Sequence, residues 1–169
     1  MIGVYKQALA EWRFYITPTL EHARKLAGAG ADLIAIEATF ENRPDDRELR
    51  RLLHSISDEL GVPVMADLSL FEEGVRAWAM GADLVATTLS GYTGESKGSE
   101  MPDLDLLGRL AEAGVLVVCE GCIRTPEHVS LAFGRGAFSV VVGTAITDPT
   151  EITTWFTRGS QARPMAPET

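Results

Sequence analysis

Two ionisable residues, Lys6 and Glu120, each come directly after an apolar segment, and they are the first candidates for acid–base chemistry. Lys6 follows the residues Ile-Gly-Val-Tyr, while Glu120 follows the five apolar residues Val115–Cys119. Burying a carboxylate is costly unless the group is paired or used, so the position of Glu120 favours a function. Burial also lowers the pKa of a lysine and makes it a competent base, but the pattern leaves Lys6 open between this role and an ordinary solvated lysine.

Two further positions could bind a ligand, Asp67 and the turn Gly143-Thr144. Asp67 follows the apolar segment that ends at Ala66, and the alternative for its carboxylate is the N-cap of the following helix. Gly143 follows an apolar segment and opens a short helix, where main-chain N–H groups and the helix dipole bind phosphate without a formal charge. An ordinary glycine turn is the alternative, but Gly121, directly after the preceding apolar segment, favours a phosphate site.

The metal-ligating residue types give only weak signals. Cys119 and Cys122 form a single C-x-x-C pair without a partner cluster, which is too few for a disulfide framework and weak evidence for zinc. We expect Cys119 to pack in the core and expect no metal site. The three histidines fall in predicted helices and are interpreted as surface or packing residues: His22, His54 and His128.

The elements that must position these residues alternate regularly along the chain. Short β-branched segments alternate with stretches in which apolar residues recur every three or four positions, as in amphipathic helices. Strands that are apolar on both faces are typical of a parallel sheet covered by helices. A barrel and a doubly wound sheet fit this α/β alternation equally well. The predicted strands are Ile2–Tyr5, Leu33–Glu37, Val62–Ala66, Leu84–Thr87, Val115–Cys119 and Phe138–Val142.

Glycine and proline mark where the predicted helices end and begin. Gly30, Gly81 and Gly136 each stand between a helical pattern and a strand, where a left-handed residue ends a helix without a Cβ clash. Proline at the first turn marks the helix starts. These starts are Thr17-Pro18, Thr125-Pro126 and Asp148-Pro149.

Composition limits the kinds of partner. The chain has 169 residues and a formal net charge of −9, which argues against binding nucleic acid or an anionic membrane surface. No apolar run approaches a membrane span and no signal peptide is evident, so we expect a cytoplasmic protein. We expect one domain over residues 1–158, with a mobile loop at Thr93–Pro102 and a disordered tail over residues 159–169.

Several motifs of the chain resemble those of one family, the bacterial N-acetylmannosamine-6-phosphate 2-epimerases. The stretches GVYK, GADLIAIEAT, ADLSLFEEG, TTLSGYTGE, CEGCIRTPE and VVGTAITDPTEIT are similar to the family's motifs and occur in the family's order. TTLSGYT (Thr87–Thr93) is the most specific of them. The resemblance implies an α/β fold of the parallel (β/α) TIM-barrel type with strands three to eight, six of the eight βα units, as an open or incomplete barrel.

The resemblance also implies a reaction. It is the inversion of C2 that converts N-acetylmannosamine 6-phosphate to N-acetylglucosamine 6-phosphate, without a cofactor, in sialic acid and amino sugar catabolism. The family's catalytic lysine and glutamate correspond to Lys6 and Glu120. Its contacts to the amino sugar phosphate substrate correspond to Asp67, Thr88, Ser90, Gly91, Tyr92, Gly121, Gly143 and Thr144.

The barrel order implied by the resemblance agrees with the chemistry. Inversion beside a carbonyl needs one group to remove a proton from one face and another to return it to the opposite face. If Ile2–Tyr5 is strand three and Val115–Cys119 is strand seven, Lys6 and Glu120 face each other across the barrel mouth.

Other positions depart from the family. Cys122 and Asp148 stand where basic residues are usual, and substrate contacts from strands one and two have no counterpart. An alternative function is therefore a truncated or decayed paralogue that binds a sugar phosphate without turnover. A third is another reaction of phosphate-binding barrels, such as an aldol-type step through Lys6.

Six strands cannot close an eight-stranded barrel. The two outermost strands, three and eight of the barrel, are therefore expected to be open edges that can pair with another chain. We expect that the start codon was assigned too far downstream or that the chain is truncated. The alternatives are a homo-oligomer that covers the edges and a decayed paralogue.

Overall fold

The computed structural model describes residues 1–10, 13–96 and 101–161. Within them, six parallel strands form one curled sheet in the order β1-β4-β5-β6-β7-β8, and two further strands, β2 (Lys6–Ala10) and β3 (Arg13–Ile16), form an antiparallel pair. The order follows the chain, as in a (β/α) barrel, and the sheet is a partial TIM barrel. The strands of the curled sheet are β1 (Ile2–Gly3), β4 (Leu33–Glu37), β5 (Val64–Asp67), β6 (Leu84–Ala86), β7 (Val117–Cys119) and β8 (Ser139–Val140).

Seven α-helices are found in the described residues, and side chains cap most of their starts. Thr19, Asp45 and Thr125 each accept a hydrogen bond from a first-turn N–H, which satisfies donors that the helix itself leaves unpaired. The helices are α1 (Leu20–Gly28), α2 (Asp46–His54), continued by the π-helical segment Ser55–Glu59, α3 (Phe71–Ala79), α4 (Leu104–Glu112), α5 (Pro126–Gly134), α6 (Thr144–Thr147) and α7 (Pro149–Gln161).

The sheet is buried on both faces, as its apolar strands require. In β4, Ile34 and Ile36 pack with the helices in the main hydrophobic core, while Ala35 between them belongs to a second cluster on the opposite face. Met65 in β5 and Val118 in β7 belong to that second cluster as well. Successive strand residues point to opposite faces, so this alternation defines the outer, helix-covered face and the inner face of the half-barrel.

The predicted helix boundaries are confirmed with one shift. Gly30, Gly81 and Gly136 have φ of 89°, 101° and 94°, the left-handed conformation expected after a helix. α5 and α7 begin at their predicted prolines, whereas α1 begins at Leu20, because Thr19 rather than Thr17 supplies the cap.

The antiparallel pair β2–β3 is a feature that the sequence analysis missed. The predicted strand Ile2–Tyr5 leaves the sheet after Gly3, and Tyr5 instead exchanges hydrogen bonds with Thr17, whose N–H donates to the Tyr5 carbonyl at 2.7 Å. Lys6 then opposes Ile16 at the base of the hairpin. Lys6 is therefore the first residue of a hairpin and not a residue that ends a sheet strand.

The outer segments are described only in part. α7 continues to Gln161, so the first three residues of the predicted tail are helical, and residues 162–169 lie outside the described residues. Residues 97–100 of the predicted mobile loop also lie outside them. No helix in the described part of the chain is both long and apolar enough to cross a membrane.

Candidate active site

A cavity of about 740 Å³ opens where the C-terminal ends of the sheet strands meet. This is the end at which active sites lie in parallel β/α barrels. The cavity brings together seven of the ten residues expected to form the site: Lys6, Thr88, Tyr92, Glu120, Gly121, Gly143 and Thr144.

The main chain of Glu120 is fixed by a buried threonine of the neighbouring strand end. The Thr87 hydroxyl donates to the Glu120 carbonyl at 2.9 Å and accepts from the Glu120 N–H at 3.1 Å. Gly121 follows with φ of 101°, a conformation that a side chain would strain. This turn directs the Glu120 carboxyl group into the cavity immediately after the buried β7 strand.

Asp67 does not line the cavity but contacts a residue that does. It is the last residue of β5, its exposed fraction is 2%, and its Oδ1 atom lies 2.8 Å from the Thr88 hydroxyl. The same hydroxyl lies 3.1 Å from Glu120 Oε2. Thr88 therefore bridges two carboxyl groups, and the N-cap role considered for Asp67 is not what the structure shows, because Leu70 precedes α3 instead.

Burial raises the pKa of both carboxyl groups. For Asp67, desolvation is the largest cause of a pKa well above its ordinary value, and the charge of Glu120 adds to it. For Glu120, desolvation raises the pKa, while the hydrogen bond from Thr88 and the positive charge of Lys6 oppose the rise. The pKa of the Asp67 carboxyl is also lowered slightly by Lys6, so all three side chains share one electrostatic environment.

Lys6 reaches the cavity from the hairpin rather than from the curled sheet. It lies directly after Tyr5, whose N–H donates to the Thr17 hydroxyl at 3.2 Å, and it pairs with Ile16 across the hairpin. Thr17 has φ of 43°, a rare conformation for a β-branched residue, and its carbonyl accepts from buried Arg43 at 3.1 Å. These contacts determine where the lysine enters the cavity.

Glu37 is a buried carboxylate of the cavity wall that the sequence analysis did not single out. It ends β4 opposite Asp67 in register and accepts hydrogen bonds from the Thr39 hydroxyl and the Asn42 side chain, both at 2.6 Å. The Ile16 N–H donates to its other oxygen at 3.2 Å. The signal was present, since Glu37 ends an apolar strand just as Asp67 does.

The other end of the cavity carries features suited to an anion. Gly143 and Thr144 begin α6, and the Gly143 carbonyl accepts from the N–H groups of Ile146 and Thr147. Arg124 also lines the cavity, with its guanidinium 5.5 Å from the ring centre of Trp155. Arg124 falls within the motif CEGCIRTPE, but neither Arg124 nor Trp155 was assigned a role from the sequence.

Asp148 has a structural contact that limits its effect on a ligand. Its Oδ1 atom accepts hydrogen bonds from the N–H groups of Thr150 and Glu151, both at 3.1 Å, and so it caps α7. A carboxylate that caps a helix is stabilised by the positive end of the helix dipole, which offsets part of its repulsion of an anion.

Ser90 and Gly91 hold the loop instead of lining the cavity. The Ser90 hydroxyl donates to Asp103 at 2.6 Å, and the Gly91 N–H donates to the Ser96 hydroxyl at 3.0 Å. Thr93 continues this network to the hydroxyl of Ser69 at 3.0 Å. Their roles as substrate contacts stay predictions.

The cysteines show no metal-like arrangement. Cys119 is fully buried in the main core, as expected, and burial raises the pKa of its thiol to about 11. Over residues 1–10, 13–96 and 101–161, no three His, Cys, Asp or Glu side chains are grouped so that they could hold a metal ion.

Comparisons with known proteins agree with the sequence motifs. A family model described as "Putative N-acetylmannosamine-6-phosphate epimerase" matches residues 1–162. A curated 2-epimerase of that description from Caldanaerobacter subterraneus subsp. tengcongensis is 45% identical over 158 residues, which cover 92% of this chain and 67% of the relative. A second, from Cutibacterium acnes, is 42% identical over 159 residues, which cover 92% and 69%. The chain thus spans about two thirds of the length of these relatives.

Two solved structures resemble this chain, one at high identity and one in fold alone. The N-acetylmannosamine-6-phosphate 2-epimerase from Clostridium perfringens superimposes with a TM-score of 0.84 and 40% identity, over 93% of this chain and 69% of the other. Deoxyribose phosphate aldolase from Aeropyrum pernix has a TM-score of 0.56 with 23% identity, over 75% and 57%, a likeness of fold alone.

Proposed function

Because the chain belongs to the N-acetylmannosamine-6-phosphate epimerase family, we propose that it inverts C2 of N-acetylmannosamine 6-phosphate to give N-acetylglucosamine 6-phosphate. The observation that carries the proposal is that Lys6 and Glu120 line one cavity and interact electrostatically. A cation and a carboxylate at one cavity are the acid and the base that this inversion requires.

The proton transfers follow from the chemistry of the substrate. In its open-chain form, C2 lies beside the C1 aldehyde, so loss of the C2 proton leaves an electron pair that is delocalised onto the C1 oxygen. Glu120, as a carboxylate, removes this proton from one face. Lys6, as an ammonium, returns a proton to the other face, after which Lys6 is neutral and Glu120 is protonated. Proton exchange with water restores both groups, and no net proton is consumed.

The environment of Glu120 suits it to this step. Desolvation raises its pKa and therefore its basicity, while the Thr88 hydrogen bond and the charge of Lys6 limit the rise. A general base works best when its pKa approaches the working pH without exceeding it. In its ionised form, Glu120 is therefore a stronger base than an exposed glutamate.

The phosphate group is assigned to the end of the cavity formed by Gly143, Thr144 and Arg124. The main-chain N–H groups of the Gly143-Thr144 turn offer donors to an anion. Arg124 supplies a positive charge, and its stacking on Trp155 restricts the orientation of the guanidinium group. With the phosphate held there, the sugar would extend toward Lys6 and Glu120, so that C2 lies between these two side chains.

The proposal extends to the setting of the reaction. We assign it to sialic acid and amino sugar catabolism in the cytoplasm, on the basis of the family resemblance. A doubly charged phosphate ester is expensive to transfer into an apolar bilayer, which keeps such substrates in the compartment where they are phosphorylated.

The catalytic activity of two variants, Glu120→Gln and Lys6→Met, tests the proposal. Each removes one proton carrier without removing bulk, so interconversion followed by proton NMR should fall by about a hundredfold or more. Binding, followed by the thermal shift with the sugar phosphate, should persist. Glu41→Gln, at an exposed carboxylate of the same cavity, is the matched control and should keep most of the activity.

Two results would overturn the proposal. Unchanged turnover in Glu120→Gln would remove Glu120 from the chemistry. A folded native protein that binds the sugar phosphate without converting it would favour a non-catalytic binder.

A further inference from the structure

The Thr88 hydroxyl lies between two carboxyl groups, and the number of available hydrogens limits what it can do there. A hydroxyl has one hydrogen to donate, and an ionised carboxylate can only accept. Oxygens of both Asp67 and Glu120 are within hydrogen-bond distance of Thr88 Oγ1, at 2.8 Å and 3.1 Å. If both carboxyl groups were ionised, one of these contacts would hold two oxygens together without a hydrogen between them. A proton on one of the two carboxyl groups would remove that unfavourable contact and give each contact its own hydrogen.

The surroundings decide which group is protonated. Asp67 is 2% exposed, whereas Glu120 is half-buried on the cavity wall. Glu37 lies opposite Asp67 in the sheet register and accepts three hydrogen bonds, and its charge raises the pKa of Asp67. A buried carboxyl group beside two others is the one that stays neutral.

We propose that Asp67, Thr88 and Glu120 form a directed hydrogen-bond chain in which neutral Asp67 donates to the Thr88 hydroxyl and that hydroxyl donates to ionised Glu120. This hydrogen-bond chain makes Thr88 a positioning residue. Its single hydrogen fixes the Glu120 carboxylate, and the neutral Asp67 prevents the hydroxyl from turning away. The role of Glu120 as the base rests on the proposed function, but the protonation of Asp67 does not.

The charged groups around the Asp67–Thr88–Glu120 hydrogen bonds come from several elements. Lys6 of β2 acts on both carboxyl groups and lowers the pKa of each, and Glu37 of β4 raises that of Asp67. In the neighbouring strand β7, burial raises the pKa of the Cys119 thiol to about 11, and the charges of Asp103 and Glu120 contribute to this rise in pKa. The net effect leaves Glu120 as the group that ionises more readily.

Carboxyl ¹³C NMR on protein labelled at aspartate and glutamate measures the protonation directly. We expect one aspartate signal with the chemical shift of a neutral carboxyl group at neutral pH, and we expect it to be missing from the Asp67→Asn protein, which assigns it. If every aspartate carboxyl group is ionised at neutral pH, the proposal is wrong. This result is independent of whether the protein turns over any substrate.

The pH profile of activity tests the positioning role of Thr88. Thr88→Val keeps the shape but removes the hydrogen bond that lowers the pKa of Glu120. The acidic limb of the kcat/KM profile should then move to higher pH by about one unit, and kcat should fall by roughly tenfold to a hundredfold. Thr88→Ser restores the hydroxyl and should restore the profile. If Thr88→Val and Thr88→Ser lose the same share of kcat and the acidic limb of the pH profile does not move, Thr88 contributes only to packing.

Discussion

At the scale of single residues, the cavity has few positive charges for a ligand that carries two negative ones. Its described lining includes the acidic side chains Glu37, Glu41, Glu120, Asp148 and Glu151 against Lys6 and Arg124. Lys6 is assigned to proton transfer, so Arg124 is left as the cation that can hold the phosphate. Because Arg124 is a loop residue on the surface side of the cavity, its effect should appear in binding and not in the chemical step.

Arg124→Gln should raise KM for N-acetylmannosamine 6-phosphate by roughly ten- to a hundredfold and change kcat little, because a charge-assisted hydrogen bond contributes about 1.5–3 kcal/mol. Steady-state kinetics would measure this. Arg135→Gln, the same substitution at an exposed position just past the other end of α5, should leave KM unchanged. A rise in KM for both variants would point to a general electrostatic effect and not to a phosphate contact.

Much of the site at this scale was predictable from residue type and position. Lys6, Glu120, Gly121 and Gly143 were singled out because they follow apolar segments, and all four line the cavity. Glu37 obeys the same rule and was overlooked. Contacts within the loop could not be predicted, since whether Ser90 turns to a ligand or to Asp103 depends on where α4 begins.

At the scale of elements, one buried arginine connects the start of α2 to the hairpin that carries Lys6. Arg43 is fully buried, and its guanidinium donates to the carbonyls of Glu37, Thr17 and Pro18 at 2.6, 3.1 and 2.9 Å. Burial lowers its pKa, but the hydrogen bonds keep its donors paired. The strained conformation of Thr17 is maintained by this arrangement.

Arg43→Met should destabilise the protein by about 3–5 kcal/mol, because it leaves three buried carbonyls without their donor. Chemical denaturation measures the free energy of unfolding. Arg50→Met, on the exposed face of α2, is the control and should change it by less than about 0.5 kcal/mol. A small effect in Arg43→Met would mean that other groups, or water, satisfy these carbonyls.

Five of the six predicted strands reappear in the sheet with boundaries shifted by at most two residues at either end, because their apolar runs are long enough to need burial on both faces. The sixth, Ile2–Tyr5, was cut short because Tyr5 pairs with Thr17 rather than with β4. The hairpin formed by β2 and β3 was not predicted from the sequence. Strand pairing between segments is a tertiary property that local spacing does not report.

At the scale of the whole molecule, the described sheet has two open edges. β1 pairs only with β4, and β8 pairs only with β7, among the strands described. Apolar side chains lie exposed at both edges, with Ile2 43% exposed in β1 and Phe138 58% exposed just before β8. Open edges of this kind favour association with other strands.

We predict that the chain self-associates through these edges. Sedimentation velocity should show a mass that rises with protein concentration, and Phe138→Lys should shift the protein toward the monomer. Val75→Lys places the same charge on α3, away from both edges, and should leave the association unchanged. A monomer at every concentration would contradict the prediction.

The alternation of strands and helices predicted an α/β fold but fitted a barrel and a doubly wound sheet equally well. Only the family motifs predicted the barrel. The glycine and proline boundaries predicted which segments are helices, because they act locally. Curvature of the sheet depends on how all the strands stagger against each other, and no single segment encodes it.

The distribution of deuterium between substrate and product tests the two-group inversion most directly. N-acetylmannosamine 6-phosphate is converted in D₂O, and the first few per cent of product and the remaining substrate are examined by NMR. Transfer from Lys6 on one face and to Glu120 on the other predicts deuterium at C2 of the product, while the remaining substrate keeps its hydrogen. Product that retains the original hydrogen at C2 would show that one group moves the proton across both faces, and would contradict the assignment of Lys6 and Glu120 as partners.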